Sequence, residues 1–237
     1  MDSYIAEFLG TFTLVFINNG VVANVLLMKT KGNTKHNWML ISMAAGLAVT
    51  FGIYVAMSRS GAHINPAVSI AMFALGRMSF GSLAGYVAAQ MLGGMTGALM
   101  VYLAYKRHYD ETEDESLKLA TFSTSPAIRH RGWNIVTEVL ATFMLVGMVV
   151  VVTHPDVALA PGLVPIVIGL LVMVLGISLG GSTGFAMNPA RDLGPRITHS
   201  LLRLGHSDWR YAPIPVIGPI IGGILGGLVF TLYMGGM

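Results

Sequence analysis

The chain has 237 residues, 54% of them apolar and only 11% charged, with a mean hydropathy of +0.69. Soluble domains cover their surface with about 25% charged residues, so these proportions exclude an ordinary soluble fold and imply one membrane-embedded body. The net charge of +3 and a pI near 9.3 come without a clustered basic face. The nearest approach is Lys29, Lys31 and Lys35 in one short stretch, so nucleic acid is excluded as a partner. Cysteine is absent, which removes disulfides, thiolate ligands and cysteine nucleophiles. No two His stand at a ligand spacing such as HExxH, and no metal or other cofactor is expected.

The first apolar stretch, 4–28, is long enough to span a bilayer, which takes about 20 apolar residues. It follows Met1-Asp2-Ser3 with no basic flank and reads as a span rather than a cleaved signal. Further spans are expected at 37–57, 81–105, 133–153, 161–179 and 211–234. Two shorter apolar stretches lie at 65–75 and 188–201. At about 1.5 Å per residue the first reaches about 17 Å, half of the hydrocarbon core. Both read as re-entrant half-helices. The segment 106–132 carries Asp110, Glu111, Glu113, Asp114 and Glu115 and reads as a solvated loop. Its acids are either a wetted surface or a vestibule that gathers cations.

The two halves of the chain match in register. Glu7-x-x-Gly10-Thr11-Phe12-x-Leu14-Val15 reads against Glu138-x-x-Ala141-Thr142-Phe143-x-Leu145-Val146, and Asn65-Pro66-Ala67 against Asn188-Pro189-Ala190. Gly93-Gly94 falls opposite Gly222-Gly223, and such small residues let helices approach closely in lipid. The expected organisation is a single domain over 1–237, with a first repeat at 1–105, a polar connection at 106–132 and a second repeat at 133–237. Each repeat holds an odd number of spans, so the second enters the membrane from the opposite side. Interrupted segments at equivalent positions of inverted halves point to a pathway at the midplane.

The sequences Gly61-Ala62-His63-Ile64-Asn65-Pro66-Ala67 and Gly184-Phe185-Ala186-Met187-Asn188-Pro189-Ala190-Arg191-Asp192 open the two half-helices. Asn is a strong N-cap and Pro is favoured at the first helical position, so each half-helix starts at its Asn-Pro. Inverted topology aims both N-termini at the bilayer centre, each with about half a positive charge from its dipole. Two such ends repel a cation and attract a carbonyl or hydroxyl oxygen. The amides of Asn65 and Asn188 supply donors there. The backbone carbonyls of Gly61, Ala62, His63, Gly184, Ala186 and Met187 supply acceptors, because non-helical backbone at this depth must line a cavity or be buried. A file of acceptors with two central donors suits small hydroxylated or amide solutes.

On these residues the chain resembles the major intrinsic proteins, the aquaporin and glycerol-facilitator family, over essentially its whole length. The run from Asn188 to Arg196, with Asp192 after Arg191 and a basic residue after Pro195, resembles the aquaglyceroporin form. Pro215-Val216-Ile217-Gly218-Pro219 fits the same form, since water-specific members favour an aromatic after that first Pro, and Thr121-Phe122-Ser123-Thr124-x-Pro126 resembles bacterial glycerol facilitators. The resemblance implies an all-α membrane protein with six transmembrane helices and two re-entrant half-helices in an inverted 3+3 repeat. It implies a multi-pass protein of the cell membrane, in contact with the lipid bilayer and assembled as a homotetramer. The implied activity is passive diffusion of small uncharged solutes and water, with protons and ions excluded and no enzymatic step. Carried over by position, the family's constriction falls on Arg191, Phe185, Gly176 and Ala45. Glycerol facilitators usually place a bulky aromatic where Ala45 stands. Its loss implies a wider opening, extending the solutes from glycerol, urea and water to dihydroxyacetone and the undissociated form of a short hydroxy acid such as lactic acid.

Each of these residues has an alternative reading. Arg191 is a pore donor or a structural ion-pair partner, with Asp192 as its neighbour. Glu7 and Glu138 are acceptors for backbone N–H groups of the re-entrant loops, or a proton relay. His63 buttresses its loop or lines the mouth. A proton-coupled transporter is the competing function, since inverted repeats and broken helices also build those, and Glu7, Glu138 and His63 would then have to carry the proton. The family's orientation puts both termini in the cytoplasm. That leaves only Arg59 and Arg77 inside out of 14 Lys and Arg, against the usual excess of basic residues in cytoplasmic loops.

Overall fold

The computed structural model describes residues 1–34 and 36–236, so Lys35 lies outside the described residues. Its helices are α1 (Asp2–Leu26), α2 (Trp38–Ser60), α3 (Pro66–Ala74), α4 (Phe80–Glu111), α5 (Glu115–Ala120), α6 (Arg131–Val152), α7 (Val164–Thr183), α8 (Pro189–Leu201) and α9 (Ile214–Tyr233). Among the described residues, α1, α2, α4, α6, α7 and α9 are long and apolar enough to cross a membrane. The order of two spans, a half-helix and a third span occurs twice. Six crossings put the two chain ends on one membrane face. The α2–α4 and α6–α7 connections share that face, so α3 enters from it and α8 from the other.

The glycine doublets decide how the halves lock. A Cβ on Gly93 would stand 2.4 Å from the carbonyl oxygen of Phe8, and one on Gly222 would stand 2.2 Å from that of Val139. These are contacts of α4 on α1 and of α9 on α6, each within one repeat. The second glycine of each doublet faces the opposite repeat. A Cβ on Gly94 would lie 2.5 Å from the carbonyl oxygen of Ala190, and one on Gly223 would lie 3.0 Å from that of Ala67. Each half-helix therefore packs its first turn on a span of the other repeat, α3 on α9 and α8 on α4.

Two expectations are corrected. Helix α4 does not stop at residue 105 but continues to Glu111, because Lys106 pairs with Asp110 one turn on and Glu111 pairs with Lys29. Nor is the following segment simply wetted loop. Thr121, Phe122, Ser123 and Thr124 are buried, with the Phe122 ring between Tyr109 and His199 at centroid distances of 5.8 and 5.2 Å. The acids mostly serve the chain itself: Asp114 caps α5 by accepting from Ser116 N at 2.8 Å, and Glu115 accepts from His206 N at 2.9 Å. That leaves the cation-gathering reading with little free carboxylate.

Gly94→Ala and Gly223→Ala should each lower stability by about 1–3 kcal/mol, the usual cost of overpacking a tight contact. Gly81→Ala, whose Cβ meets nothing within 4 Å, should be neutral or slightly stabilising. Thermal unfolding in detergent checks the contrast; equal melting points for the three variants would refute the packing argument.

Candidate pore and its constriction

Residues 62–64 and 185–187 cross the middle of the fold between helices, and two buried glutamates each take up two of their N–H groups. Glu7 Oε1 accepts from His63 N at 2.9 Å and Oε2 from Ile64 N at 2.6 Å. Glu138 Oε1 accepts from Ala186 N at 3.0 Å and Oε2 from Met187 N at 2.9 Å. Glu7 also accepts from Ser60 Oγ at 2.6 Å and Gln90 Nε2 at 2.7 Å. Both carboxylates are fully buried. They stabilise a backbone that sterics disfavour: Ala62, Ile64, Phe185 and Met187 have φ of 56°, 44°, 41° and 49°, in the left-handed region that costs a non-glycine residue about 1–2 kcal/mol.

The half-helices begin at the asparagines. Asn65 Oδ1 accepts from Ala67 N at 2.9 Å, and Asn188 Oδ1 accepts from Ala190 N at 3.0 Å and Arg191 N at 3.2 Å. The amide nitrogens then cross between repeats. Asn65 Nδ2 donates to Met187 O at 2.8 Å, and Asn188 Nδ2 donates to Ile64 O at 2.9 Å. Each NH2 has two hydrogens, so each asparagine keeps one N–H beyond this cross-link.

Beside the paired tips runs a cavity of about 520 Å³, lined among others by Ala45, His63, Asn65, Phe185, Asn188 and Arg191. It extends to Arg77 and His154 in the connections on the face that holds the chain ends. Gly61, Ala62, Ala186 and Met187 also line it, with the Met187 carbonyl already engaged by Asn65. His63 does two things: Nδ1 lies 3.0 Å from Ser69 Oγ, and the residue borders the cavity. Pro66 and Pro189 are the first residues of α3 and α8. Arg191 is half-buried, with Nη1 at 3.5 Å from Phe122 O.

Three placements correct the sequence reading. Gly184 is the left-handed C-cap of α7, at φ 82°; it faces Thr124 and stands back from the cavity. Gly176 also stands back, because Phe185 covers it: a Cβ there would lie 2.9 Å from Phe185 Cε2 and Cζ. Asp192 pairs not with Arg191 but with Arg196, whose Nη2 and Nε lie 2.9 and 3.1 Å from Oδ1. This buried pair is fully hydrogen-bonded, as a desolvated ion pair must be. Asp192 Oδ2 accepts from Thr124 N and Oγ1, both at 2.7 Å, and Arg196 Nη1 donates to Ser207 O at 2.8 Å.

Sequence reasoning missed Gln90, Thr124 and Trp38. Gln90 has a signal, since Pro219 stands at its place in the second repeat. Trp38, the first residue of α2, donates from Nε1 to Gly176 O at 2.9 Å and meets the Phe185 ring edge-to-face at 5.5 Å.

Spans that cross in opposite directions around one cavity, with two capped half-helices meeting in its wall, define a membrane channel. The family model for major intrinsic proteins matches residues 1–230, and the chain belongs to that family. It is 46% identical over 222 residues to a probable glycerol uptake facilitator of Thermotoga maritima, covering 92% of this chain and 94% of that one. It is 45% identical over 231 residues to glycerol uptake facilitator protein 3 of Lactiplantibacillus plantarum, covering 96% and 95% of the two chains. The solved structure of the aquaglyceroporin from Plasmodium falciparum superposes with a TM-score of 0.88 at 29% identity, covering 99% of this chain and 96% of that one. The chain is thus a multi-pass plasma-membrane protein of the aquaglyceroporin subgroup.

Asn65→Asp should remove the donor to Met187 O and set a carboxylate between the two half-helix tips. Lower yield of folded protein and a measurable cation leak in proteoliposomes are expected. A variant that folds and excludes cations like the parent would rule out the amide cross-link as the barrier.

Proposed function

We propose that the protein is a passive channel for glycerol and similarly small uncharged solutes, with water, and that it works as a homotetramer whose protomers each form one channel domain from two repeats. The observation that supports this best is the mixed lining of the cavity. Val49, Leu145, Val172 and Phe185 line it and pack in one apolar cluster, while Asn65, Asn188 and Arg191 bring donors. A polyol has a hydrocarbon edge and a hydroxyl edge, so it can exchange water for both surfaces at once. An ion cannot, because shedding its water in such a lumen goes uncompensated. Two half-helix N-termini and the Arg191 charge add a barrier to cations. In this reading Gly61, Ala62, His63, Ala186 and Met187 border the path, and Glu7, Glu138, Pro66, Pro189 and Asp192 support it. The paired hydrogen bonds of Glu7 and Glu138 favour scaffold over proton relay.

Ala45 leaves the second span without bulk at the constriction, which widens the admitted class to dihydroxyacetone, urea and the neutral form of a short hydroxy acid. Stopped-flow light scattering on proteoliposomes tests the proposal. Glycerol, urea and dihydroxyacetone should equilibrate at rates independent of any proton or sodium gradient; uptake that follows a gradient would overturn it. Hydroxy-acid flux should rise as pH falls toward the acid's pKa, since only the neutral form passes. Ala45→Trp should cut dihydroxyacetone and hydroxy-acid flux while water flux survives, and equal flux of every solute in variant and parent would exclude Ala45 from the constriction.

Arg191→Ala should leave glycerol flux intact or higher and weaken the exclusion of protons, read with a pH-sensitive dye inside the vesicles. Unchanged proton exclusion with intact expression would assign Arg191 a structural role only.

A further inference from the structure

We propose that Trp38 is the positioning residue of the constriction: it fixes the Phe185 ring and so sets the width of solute the pore admits. The proposal rests on reading the cavity as a solute pore. The Phe185 ring lies against two glycines one turn apart on α7. A Cβ on Gly176 would come within 2.9 Å of the ring, and one on Gly180 within 2.4 Å. The two glycines give the ring a flat bed, at the edge of the buried cluster it forms with Ala45, Leu145, Val172 and Leu175. The loop anchors the Phe185 backbone, since the next N–H, of Ala186, is bonded to Glu138 at 3.0 Å, but it leaves the direction of the ring to its neighbours. Trp38 supplies a wall: its ring meets Phe185 at 5.5 Å and an interplanar angle of 81°, the edge-to-face geometry that aromatic pairs prefer.

Trp38 is itself fixed on the same two glycines. Its Nε1 donates to Gly176 O at 2.9 Å, and its Cζ2 lies 2.7 Å from where a Gly180 Cβ would be. Its helix is capped beside it, with Asn37 Oδ1 accepting from Leu40 N at 3.0 Å. Ala45 lies two turns further along the same face of α2, about 10 Å away at 1.5 Å per residue. The aromatic that α2 brings to the constriction therefore stands at its mouth-side end and acts through Phe185, while the level of Ala45 stays open. Width is then controlled by one braced ring facing a gap, and solutes are sorted by cross-section.

The test compares glycerol with the five-carbon polyol ribitol in proteoliposomes of parent, Trp38→Phe, Trp38→Met and Trp38→Ala. Trp38→Phe keeps an aromatic edge and should hold the parent's ribitol-to-glycerol ratio within about twofold. Trp38→Ala and Trp38→Met should raise that ratio about threefold or more, on the scale of one lost edge-to-face contact. If Trp38→Ala does not fold, the contrast between Met and Phe still decides. Equal ratios in all folded variants, or a parallel fall of both fluxes with the amount of folded protein, overturn the proposal. A parent that conducts no glycerol would instead refute the pore reading itself.

Discussion

Everything in this fold answers to one constraint: backbone that leaves the helix at mid-membrane depth must find partners for its N–H and C=O groups inside the protein. Two carboxylates meet most of it. Glu7 and Glu138 each take two successive N–H groups of a re-entrant loop, and charge-assisted bonds of this kind are about twice as strong as neutral ones. The asparagines meet the rest by donating to the carbonyl that precedes the other asparagine. Those bonds run between repeats, so each loop is completed by the other half of the chain. The same is true of the half-helices, whose first turns rest on Gly94 and Gly223 of the opposite repeat.

The repeats meet this common demand unequally. The first surrounds its glutamate with Ser60 and Gln90, all on spans or loop close by. The second relies on a buried ion pair, Asp192 with Arg196, that ties Thr124 and Ser207 to the side of α8. Several basic residues are engaged within the protein. Arg196 is a buried structural charge. Lys29, Lys106, Arg107 and Arg129 each face a carboxylate.

The spans and half-helices were legible because hydropathy and the Asn-Pro signature are local. Their ends were less so. Helix α4 overruns its apolar stretch because surface ion pairs extend it, and hydropathy is blind to that. The burial of Thr121 to Thr124 could not be read locally either, since its partners Asp192 and Arg196 lie some 70 residues away. Carrying constriction residues over by position located Phe185, Arg191 and Ala45 at the cavity. It could not show that Gly176 is covered rather than open, because a glycine can either widen a pore or make room for a neighbouring ring.

That last distinction matters for how width can evolve in such a channel. An aromatic on the second span narrows the pore directly, by occupying it. In the proposed arrangement, a ring bedded on Gly176 and Gly180 and held by Trp38 narrows it from the loop instead. The two devices are separable, since the first sits at the level of Ala45 and the second at the end of the same helix. Phe185 is also held by its loop, because the adjoining Ala186 N–H is bonded to Glu138. If Phe185 is the selecting ring, as proposed, selectivity and stability share a support: the carboxylate that stabilises the left-handed backbone of the loop also fixes the base from which that ring projects.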